Sequence, residues 1–217
     1  PAPLKIAVLG GGSFGTAMAN LSSKNGCEVT LWVRDKRSVK SMQKTHINKK
    51  YLPDHKLDER LQFTHDLQAA VKGKDLIFVA VPSSAFRETI KKIAPFISAQ
   101  AIVSLTKGME KDTFALMSDV IADELPNVAF GVMSGPNLAK EIMNNMPSAT
   151  VIASQSAALR LAVQKALHSA FFRVFASDDL IGVELGGALK NIYAIAMGMA
   201  AAYDIGENTK AMILTRA

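Results

Sequence analysis

Residues 5–19 read Lys5-Ile-Ala-Val-Leu-Gly-Gly-Gly-Ser-Phe-Gly-Thr-Ala-Met-Ala19, a short apolar run followed by a glycine-rich turn. The apolar run predicts a buried parallel strand, and the small residues after the turn predict a helix. Between them, Gly10, Gly12 and Gly15 have the G-x-G-x-x-G spacing of a dinucleotide-binding turn. We expect Gly10 to permit the tight turn, Gly12 to let a pyrophosphate approach the backbone, and Gly15 to allow close helix–strand packing. The alternative is a glycine-rich turn without a ligand.

The composition excludes several classes of protein. The 217-residue chain has 49% hydrophobic and 20% charged residues, which is typical of a folded domain rather than a disordered one. Its net charge of +6 comes from scattered Lys and Arg residues without a basic stripe, so we expect no nucleic-acid partner. We expect no membrane span, because we count no apolar run of roughly 18 residues. The single cysteine, Cys27, cannot form an internal disulfide, which favours a cytoplasmic location.

The segments after the glycines complete a βαβ unit, with a helix over 14–24 and a strand over 28–33. Arg34 follows the glycines by about 20 residues, at the position that contacts the adenosine ribose in dinucleotide-binding folds. Together with Lys36 and Arg37, Arg34 would suit the 2′-phosphate of NADP, and NAD is the alternative cofactor. A solvated turn, in which Asp35 caps the next helix and Arg34 points into solvent, is the other interpretation.

The remaining pattern predicts a doubly wound parallel sheet of the Rossmann type, an α/β fold, over residues 1–177. The predicted helices cover 38–48, 66–72, 85–96, 113–125 and 157–168. The predicted strands cover 61–64, 75–81, 101–105, 127–133, 148–154 and 171–175, and residues 49–56 are predicted to form a loop. Lys107 follows one of these strands, so it is a candidate anion or substrate ligand at the carboxyl edge of the sheet. A solvated loop lysine is the alternative.

At Asp178 the pattern changes to one helix-length segment, 178–202, that is nearly all apolar or small. We expect this helix to be buried all round and residues 178–217 to begin a separate, helical part of the chain. Glu184 and Lys190 are its charged interior residues, and a charge in such surroundings is costly unless it is paired or used. Lys190 is therefore a candidate catalytic residue, with structural pairing as the alternative.

Five motifs, in register along the chain, resemble those of the bacterial NAD(P)-dependent sn-glycerol-3-phosphate dehydrogenases. They are Gly10-Gly-Gly-Ser-Phe-Gly-Thr-Ala17, Phe78-Val-Ala-Val-Pro82, Ser104-Leu-Thr-Lys-Gly108, Ser134-Gly-Pro-Asn-Leu-Ala-Lys-Glu141 and Glu184-Leu-Gly-Gly-Ala-Leu-Lys-Asn191. The resemblance implies reversible hydride transfer between the nicotinamide C4 and C2 of dihydroxyacetone phosphate. The product would be sn-glycerol 3-phosphate, a precursor for phospholipid synthesis.

The resemblance also implies the residues of the site, and it implies no metal. Cofactor contacts are expected at Gly10, Gly12, Ser13, Phe14, Gly15, Arg34, Tyr51, Lys107 and Ala139. Substrate contacts are expected at Lys107, Gly135, Asn137, Lys190 and Asn191. Lys190 would transfer the proton and Lys107 would complement the negative substrate. Asn137 stands where the family commonly has Ser or Thr, and all three side chains can form hydrogen bonds.

Members of that family continue into an all-helical C-terminal domain that binds substrate. The resemblance therefore implies that residues 178–217 begin this substrate domain, and we expect the chain to be a fragment. The apolar segment 178–202 would then pack on that domain or on a second subunit of a homodimer. Two other functions stay open from the residues alone. One is a non-catalytic nucleotide-binding module, and the other is a different β-hydroxyacid or 6-phosphogluconate-type dehydrogenase.

Overall fold

The structure is a computed structural model that describes residues 2–203 and 205–216. Its strands are β1 (Lys5–Leu9), β2 (Glu28–Trp32), β3 (Ile47–Asn48), β4 (Leu52–Lys56), β5 (Gln62–Thr64), β6 (Leu76–Val79), β7 (Ala101–Ser104), β8 (Phe130–Ser134), β9 (Ser148–Ala153) and β10 (Phe172–Ser177). Its α-helices are α1 (Ser13–Lys24), α2 (Lys36–Thr45), α3 (Leu67–Val71), α4 (Ser83–Ile93), α5 (Met117–Glu124), α6 (Ala139–Met143), α7 (Ala157–Leu167), α8 (Leu180–Ala202) and α9 (Glu207–Arg216).

One sheet of eight strands runs through the molecule in the order β10-β9-β8-β7-β6-β1-β2-β5. Its centre is parallel, since β1 pairs in parallel with both β2 and β6, and β6 pairs in parallel with β7. Every side chain of β6 is buried, as a parallel strand covered on both faces requires. The predicted Rossmann-type fold, followed by the start of a helical part, is confirmed.

Helices cover both faces of this sheet. One face packs against α1, α2, α6 and α7 around Ile6, Val8 and Phe78, and the other packs against α3, α4 and α5 around Ala7 and Ile77. From β1 the chain continues to β2 on one side, whereas β6 pairs with β1 on the other side. A crevice opens at the carboxyl ends of strands at such a reversal, and ligands of open α/β sheets bind there.

The sheet departs from the predicted parallel arrangement at one pair of strands. β9 pairs antiparallel with β8, with Ser134 opposite Val151, and β10 pairs in parallel with β9. The connection from β8 to β9 spans only residues 135–147 and contains the short helix α6, so the chain returns at the same edge of the sheet. As a result, the start of β9 lies beside the end of β8.

The segment after α2 also differs from the prediction of a helix over 38–48 followed by a loop. α2 ends at Thr45 because His46 adopts a left-handed conformation with φ of 50°, which an α-helix cannot continue. β3 and β4 then form an antiparallel hairpin. The predicted helix 113–125 likewise begins later, at Met117. There the Thr113 hydroxyl donates to Glu110 at 2.7 Å, a side-chain bond that competes with helix formation.

The apolar segment 178–202 forms the helix α8, but it is not buried all round. Only its first part packs on the sheet, against β8 and β9, and α9 follows it. Ile181, Ile195 and Met199 are 59–65% exposed, and Lys190 is exposed as well. The premise that Lys190 is a buried charge is therefore wrong for this chain.

α8 also bears on the expected absence of a membrane span. It has 23 residues, and an 18-residue stretch of it has a mean hydropathy of 1.3, so it is long and apolar enough to cross a membrane by length and composition alone. The expectation of no membrane span rested on uninterrupted apolar runs, and Glu184 and Lys190 interrupt the apolar residues of this segment.

Candidate active site

The glycine turn joins β1 to α1 in a conformation that side chains would prevent. Gly10 has φ of 126°, and a Cβ there would collide with the carbonyl of Ala80 at the end of β6. A Cβ at Gly15 would collide with the carbonyl of Gly10, which is the close packing of helix on strand that we predicted. Apart from its own chain neighbours and the backbone of α1, no described atom lies within 4 Å of a Cβ placed at Gly12. The space in front of Gly12 is thus open to a ligand.

The first turn of α1 presents free backbone donors to this space. Gly12 is the N-cap and offers no side-chain acceptor. The Thr16 N–H donates to the Gly12 carbonyl at 3.0 Å, so the N–H groups of Ser13, Phe14 and Gly15 precede the first helical hydrogen bond. A helix N-terminus of this kind attracts anions, because the peptide dipoles place partial positive charge there.

Asn48, which we had placed in a helix, supports the glycine turn from the β3–β4 hairpin. Its side chain is 4% exposed, and Nδ2 donates to the Gly11 carbonyl and to Thr16 Oγ1, both at 2.9 Å. The two acceptors lie on either side of the first turn of α1. Asn48 therefore fixes the turn relative to the helix, and no spacing pattern in the sequence indicates this role.

Replacement of Asn48 tests that support. Asn48→Ala removes both hydrogen bonds and leaves the partly buried Gly11 carbonyl and the buried Thr16 hydroxyl without this partner, so we expect the free energy of unfolding to fall by about 1–3 kcal/mol. The control is Asn127→Ala, at an exposed turn position, where we expect a change within about 0.5 kcal/mol. Urea unfolding of the two variants measures both values, and equal small changes would contradict the proposed support.

Arg34 lies just beyond the end of β2, at the same edge of the sheet as the glycine turn. It is exposed, and it lies close enough to α4 that its charge lowers the pKa of Glu88, although Lys92 lowers that pKa more. Asp35 caps α2 by accepting the N–H groups of Ser38 at 2.8 Å and Arg37 at 3.3 Å. The alternative interpretation of this turn predicted that cap. The cap engages the Asp35 carboxylate, however, and it leaves the Arg34 guanidinium available to a ligand.

Lys107 follows β7 and extends to the end of β8. Its Nζ donates to the Gly135 carbonyl at 2.9 Å. Loss of hydration lowers the pKa of Lys107, and the positive charge of nearby Lys190 lowers it further. Thr106, the preceding residue, ties β7 to the neighbouring strand, since its hydroxyl donates to the Val81 carbonyl at 2.7 Å. Lys107 thus projects from an anchored position.

The loop after Lys107 is held by Arg87 of α4, a residue that sequence reasoning did not identify. Arg87 Nε lies 2.7 Å from a carboxylate oxygen of Glu110, and its Nη1 lies 2.7 Å from one of Glu124 on α5. The Arg87 hydrogen bonds lower the pKa of Glu110 to about 2. These contacts join α4, the loop and α5 into one support behind Lys107.

α8 brings Lys190 to the same place. Gly187 lies against β8 and Lys107: a Cβ there would collide with Ser134 Oγ and would lie 3.8 Å from Lys107 Cγ. Lys190 follows one turn later, and together with Gly187 and Gly135 it lines a cavity of about 310 Å³. Lys107, Lys190 and Gly135, which the sequence predicted as site residues, are therefore brought together by the fold.

Asn137 contributes an unused acceptor beside Gly135. Its Nδ2 donates to the Ala149 carbonyl at 2.7 Å, while its buried Oδ1 has no partner among the described residues. A Cβ at Gly135 would lie 2.9 Å from that Oδ1 and 2.8 Å from the Ala149 carbonyl, so a side chain at 135 would crowd both atoms. A buried acceptor of this kind is costly unless a ligand supplies a donor.

Three predicted residues are not tied to this cluster by a contact. Tyr51 is exposed in the turn of the β3–β4 hairpin, where Lys50 Nζ lies 5.2 Å from its ring centroid. Ala139 begins α6 and packs on the core beside α1. Asn191 is exposed on α8 and is not among the residues that line the cavity. Within residues 2–203 and 205–216, no cluster of His, Cys, Asp and Glu could hold a metal ion.

Comparisons with known proteins agree with this geometry. Residues 5–160 match the family described as NAD-dependent glycerol-3-phosphate dehydrogenase N-terminus, and residues 179–217 match the corresponding C-terminus. The chain is 77% identical over 216 residues to a glycerol-3-phosphate dehydrogenase [NAD(P)+] of Psychrobacter cryohalolentis, and 64% identical over 214 residues to one of Acinetobacter baylyi. These alignments cover 100% and 99% of this chain.

A solved structure gives the same result. The crystal structure of glycerol-3-phosphate dehydrogenase from Coxiella burnetii superimposes with a TM-score of 0.90 at 40% identity, covering 100% of this chain and 66% of that one. The chain spans 50% of the length of the Psychrobacter relative and 60% of the Acinetobacter relative.

Proposed function

The chain belongs to the NAD-dependent glycerol-3-phosphate dehydrogenase family, and we propose that it forms the cofactor-binding part of such an enzyme. The proposed reaction transfers a hydride between NAD(P)H and dihydroxyacetone phosphate, giving sn-glycerol 3-phosphate. The observation that carries the proposal is the meeting of Lys107 with Lys190 beside the free acceptor of Asn137. Two cationic side chains and an unpaired acceptor suit a substrate that carries both a phosphate and hydroxyl groups.

The cofactor would lie along the carboxyl edge of the sheet. Its pyrophosphate would be held by the first-turn N–H groups of α1, which have no helical acceptor and face the open space at Gly12. Arg34 would contact the ribose and any 2′-phosphate, and Tyr51 and Ala139 would contribute from the hairpin and from α6. The reduced cofactor supplies the hydride to C2 of the substrate.

Side chains of the protein would stabilise the charge of the substrate and transfer the proton. Lys190 would give a proton to the C2 oxygen during reduction and take it back during oxidation. Lys107 would stabilise negative charge on the substrate, and Asn137 Oδ1 would accept a hydrogen bond from a substrate hydroxyl. Asn191 would contribute to orienting the substrate.

The proposal is tested with a chain in which residues 1–217 continue into the C-terminal half of the Psychrobacter relative, called the joined chain below. The joined chain should oxidise NADPH only when dihydroxyacetone phosphate is present. Turnover of 6-phosphogluconate or another β-hydroxyacid instead would favour a different dehydrogenase. Cofactor binding without any turnover would favour a non-catalytic module.

A second prediction concerns cofactor choice. Arg34→Ala removes a charge-assisted contact to the 2′-phosphate, so we expect NADPH binding to weaken by about 1–3 kcal/mol and NADH binding to weaken much less. Arg173→Ala, an exposed arginine on the distant strand β10, is the matched control and should change neither affinity. Calorimetric titration with both cofactors measures the effect. Equal weakening of NADPH and NADH binding would contradict the assignment of Arg34 to the 2′-phosphate.

We further propose a cytoplasmic enzyme that supplies a phospholipid precursor and has no membrane-spanning segment. Cys27 is a free thiol, as a reducing compartment allows. The proposal for α8 rests on its attachment to the sheet, since Glu184 and Gly187 both contact the dinucleotide-binding part. The exposed apolar side of α8 would pack on the remainder of the enzyme or on a second subunit of a homodimer.

A further inference from the structure

α8 has one buried side chain among those that the structure describes, and it is a carboxylate. Glu184 is 9% exposed, whereas the apolar residues around it on the helix are exposed or only partly buried. Hydrophobic burial alone would place Leu or Ile at the contact and the charge in solvent. The charge at the contact therefore requires a specific partner.

That partner is the N-terminus of α5. The Glu184 carboxylate accepts the Ser118 backbone N–H at 3.0 Å and also accepts the Ser118 hydroxyl. Leu116, the N-cap of α5, has no side-chain acceptor of its own, so Glu184 satisfies a helix donor from another element. Burial raises the pKa of Glu184, and the bonds from Ser118 oppose that shift. The contact is thus a directed one, since two donors fix the position of the carboxylate.

The spacing of residues along α8 links this contact to the cavity. Gly187 lies three residues after Glu184, and Lys190 lies three residues after Gly187, so consecutive members are neighbours on the helix surface. Gly187 allows α8 to lie directly against Ser134 and the stem of Lys107. The hydrogen bonds of Glu184 and the close packing at Gly187 together fix the position of α8 along its axis and its rotation about that axis, one turn before Lys190.

We propose that Glu184 is a positioning residue that holds α8 on the N-terminus of α5, so that Lys190, which lines the cavity, stays close to Lys107 beside Gly135. The expected effect on kcat rests on the proposed function. The expected effect on the proximity of Lys107 and Lys190 does not depend on any reaction.

The kinetic test compares variants in the joined chain. Glu184→Ala should lower kcat by about 10-fold while changing the Kd for NADPH less than about twofold, because small misplacement of a catalytic group slows chemistry without touching the cofactor site. Glu184→Gln keeps an acceptor for Ser118 and should retain kcat within about threefold. Glu59→Ala, which removes an exposed acid, is the control and should match the parent.

A second measurement needs no turnover and uses the 217-residue chain. NMR titration of the lysine side chains, assigned with Lys107→Arg, reports the pKa of Lys107. If Glu184 holds Lys190 near, Glu184→Ala should raise the Lys107 pKa towards the value of an ordinary lysine, because the neighbouring charge moves away. Gly187→Ala displaces the same helix from Ser134 and should act in the same direction, which keeps the test decisive if Glu184→Ala does not fold.

The outcomes separate the two proposals. An unchanged Lys107 pKa in folded Glu184→Ala or Gly187→Ala, with kcat also unchanged, overturns the positioning role and leaves Glu184 as a structural contact. A raised Lys107 pKa together with a parent joined chain that fails to turn over dihydroxyacetone phosphate supports the positioning role and overturns the proposed function.

Discussion

The 217-residue chain by itself is expected to bind NADPH but to reduce dihydroxyacetone phosphate at least about 10³-fold more slowly than the joined chain. The glycine turn, Arg34 and Lys107 all lie in the sheet domain, so the adenosine and pyrophosphate half of the cofactor has its contacts. The substrate phosphate has far fewer contacts with this chain. Within the part of the chain that the structure describes, the cavity is lined by a single cationic side chain, Lys190, and that side chain is exposed.

Positioning is the reason for the size of this effect. Unless the phosphate is clamped, the C2 oxygen is not held against the nicotinamide and Lys190, and lost positioning removes several kcal/mol of transition-state stabilisation. Calorimetry with NADPH and a turnover assay on the same preparation measure the two halves of the prediction. Mass spectrometry of the purified chain controls for contamination by a host dehydrogenase. An ordinary dehydrogenase rate from the intact 217-residue chain would refute the prediction.

Lys190→Met in the joined chain is expected to lower kcat by a factor on the order of 10² or more, with NADPH affinity nearly unchanged. Methionine keeps the apolar stem but cannot exchange a proton with the C2 oxygen. Because Lys190 also lowers the pKa of Lys107, the variant should raise the Lys107 pKa.

The matched control for this substitution is Lys165→Met, on the exposed side of α7 and away from the cavity. Its kcat should equal that of the parent chain. Steady-state kinetics and calorimetry on the two variants give the comparison. Retained turnover in Lys190→Met would remove Lys190 from the chemistry and return it to an ordinary surface lysine.

Much of the fold follows from local signals in the sequence. The glycine spacing after an apolar run predicted β1, the turn and α1, and the apolar run at 75–81 predicted the central strand β6. Both signals lie within a few consecutive residues. The glycine spacing marks the turn, and a strand that is covered on both faces requires consecutive apolar residues. The direction of β9 was not predictable in this way, since strand patterns are identical for parallel and antiparallel pairing and only the short connection through α6 decides.

The candidate site was predictable where a charged residue follows a strand, as with Lys107, and where the resemblance supplied Gly135, Asn137 and Lys190. The reason given for Lys190 was wrong, because an apolar sequence does not show whether a helix is covered. Asn48 and Arg87 were missed, since their partners are a carbonyl at Gly11 and carboxylates on another element, and such pairings depend on tertiary structure.

An isotope label on the cofactor follows the proposed hydride from nicotinamide C4 to the substrate. NADPH carrying deuterium at the transferring position of nicotinamide C4 is incubated with the joined chain and dihydroxyacetone phosphate, and the product is analysed by NMR and mass spectrometry. We expect sn-glycerol 3-phosphate with one deuterium at C2, formed more slowly by a factor on the order of 10² in Lys190→Met. Unlabelled glycerol phosphate, or no glycerol phosphate despite NADPH binding, would contradict hydride transfer from the cofactor to C2.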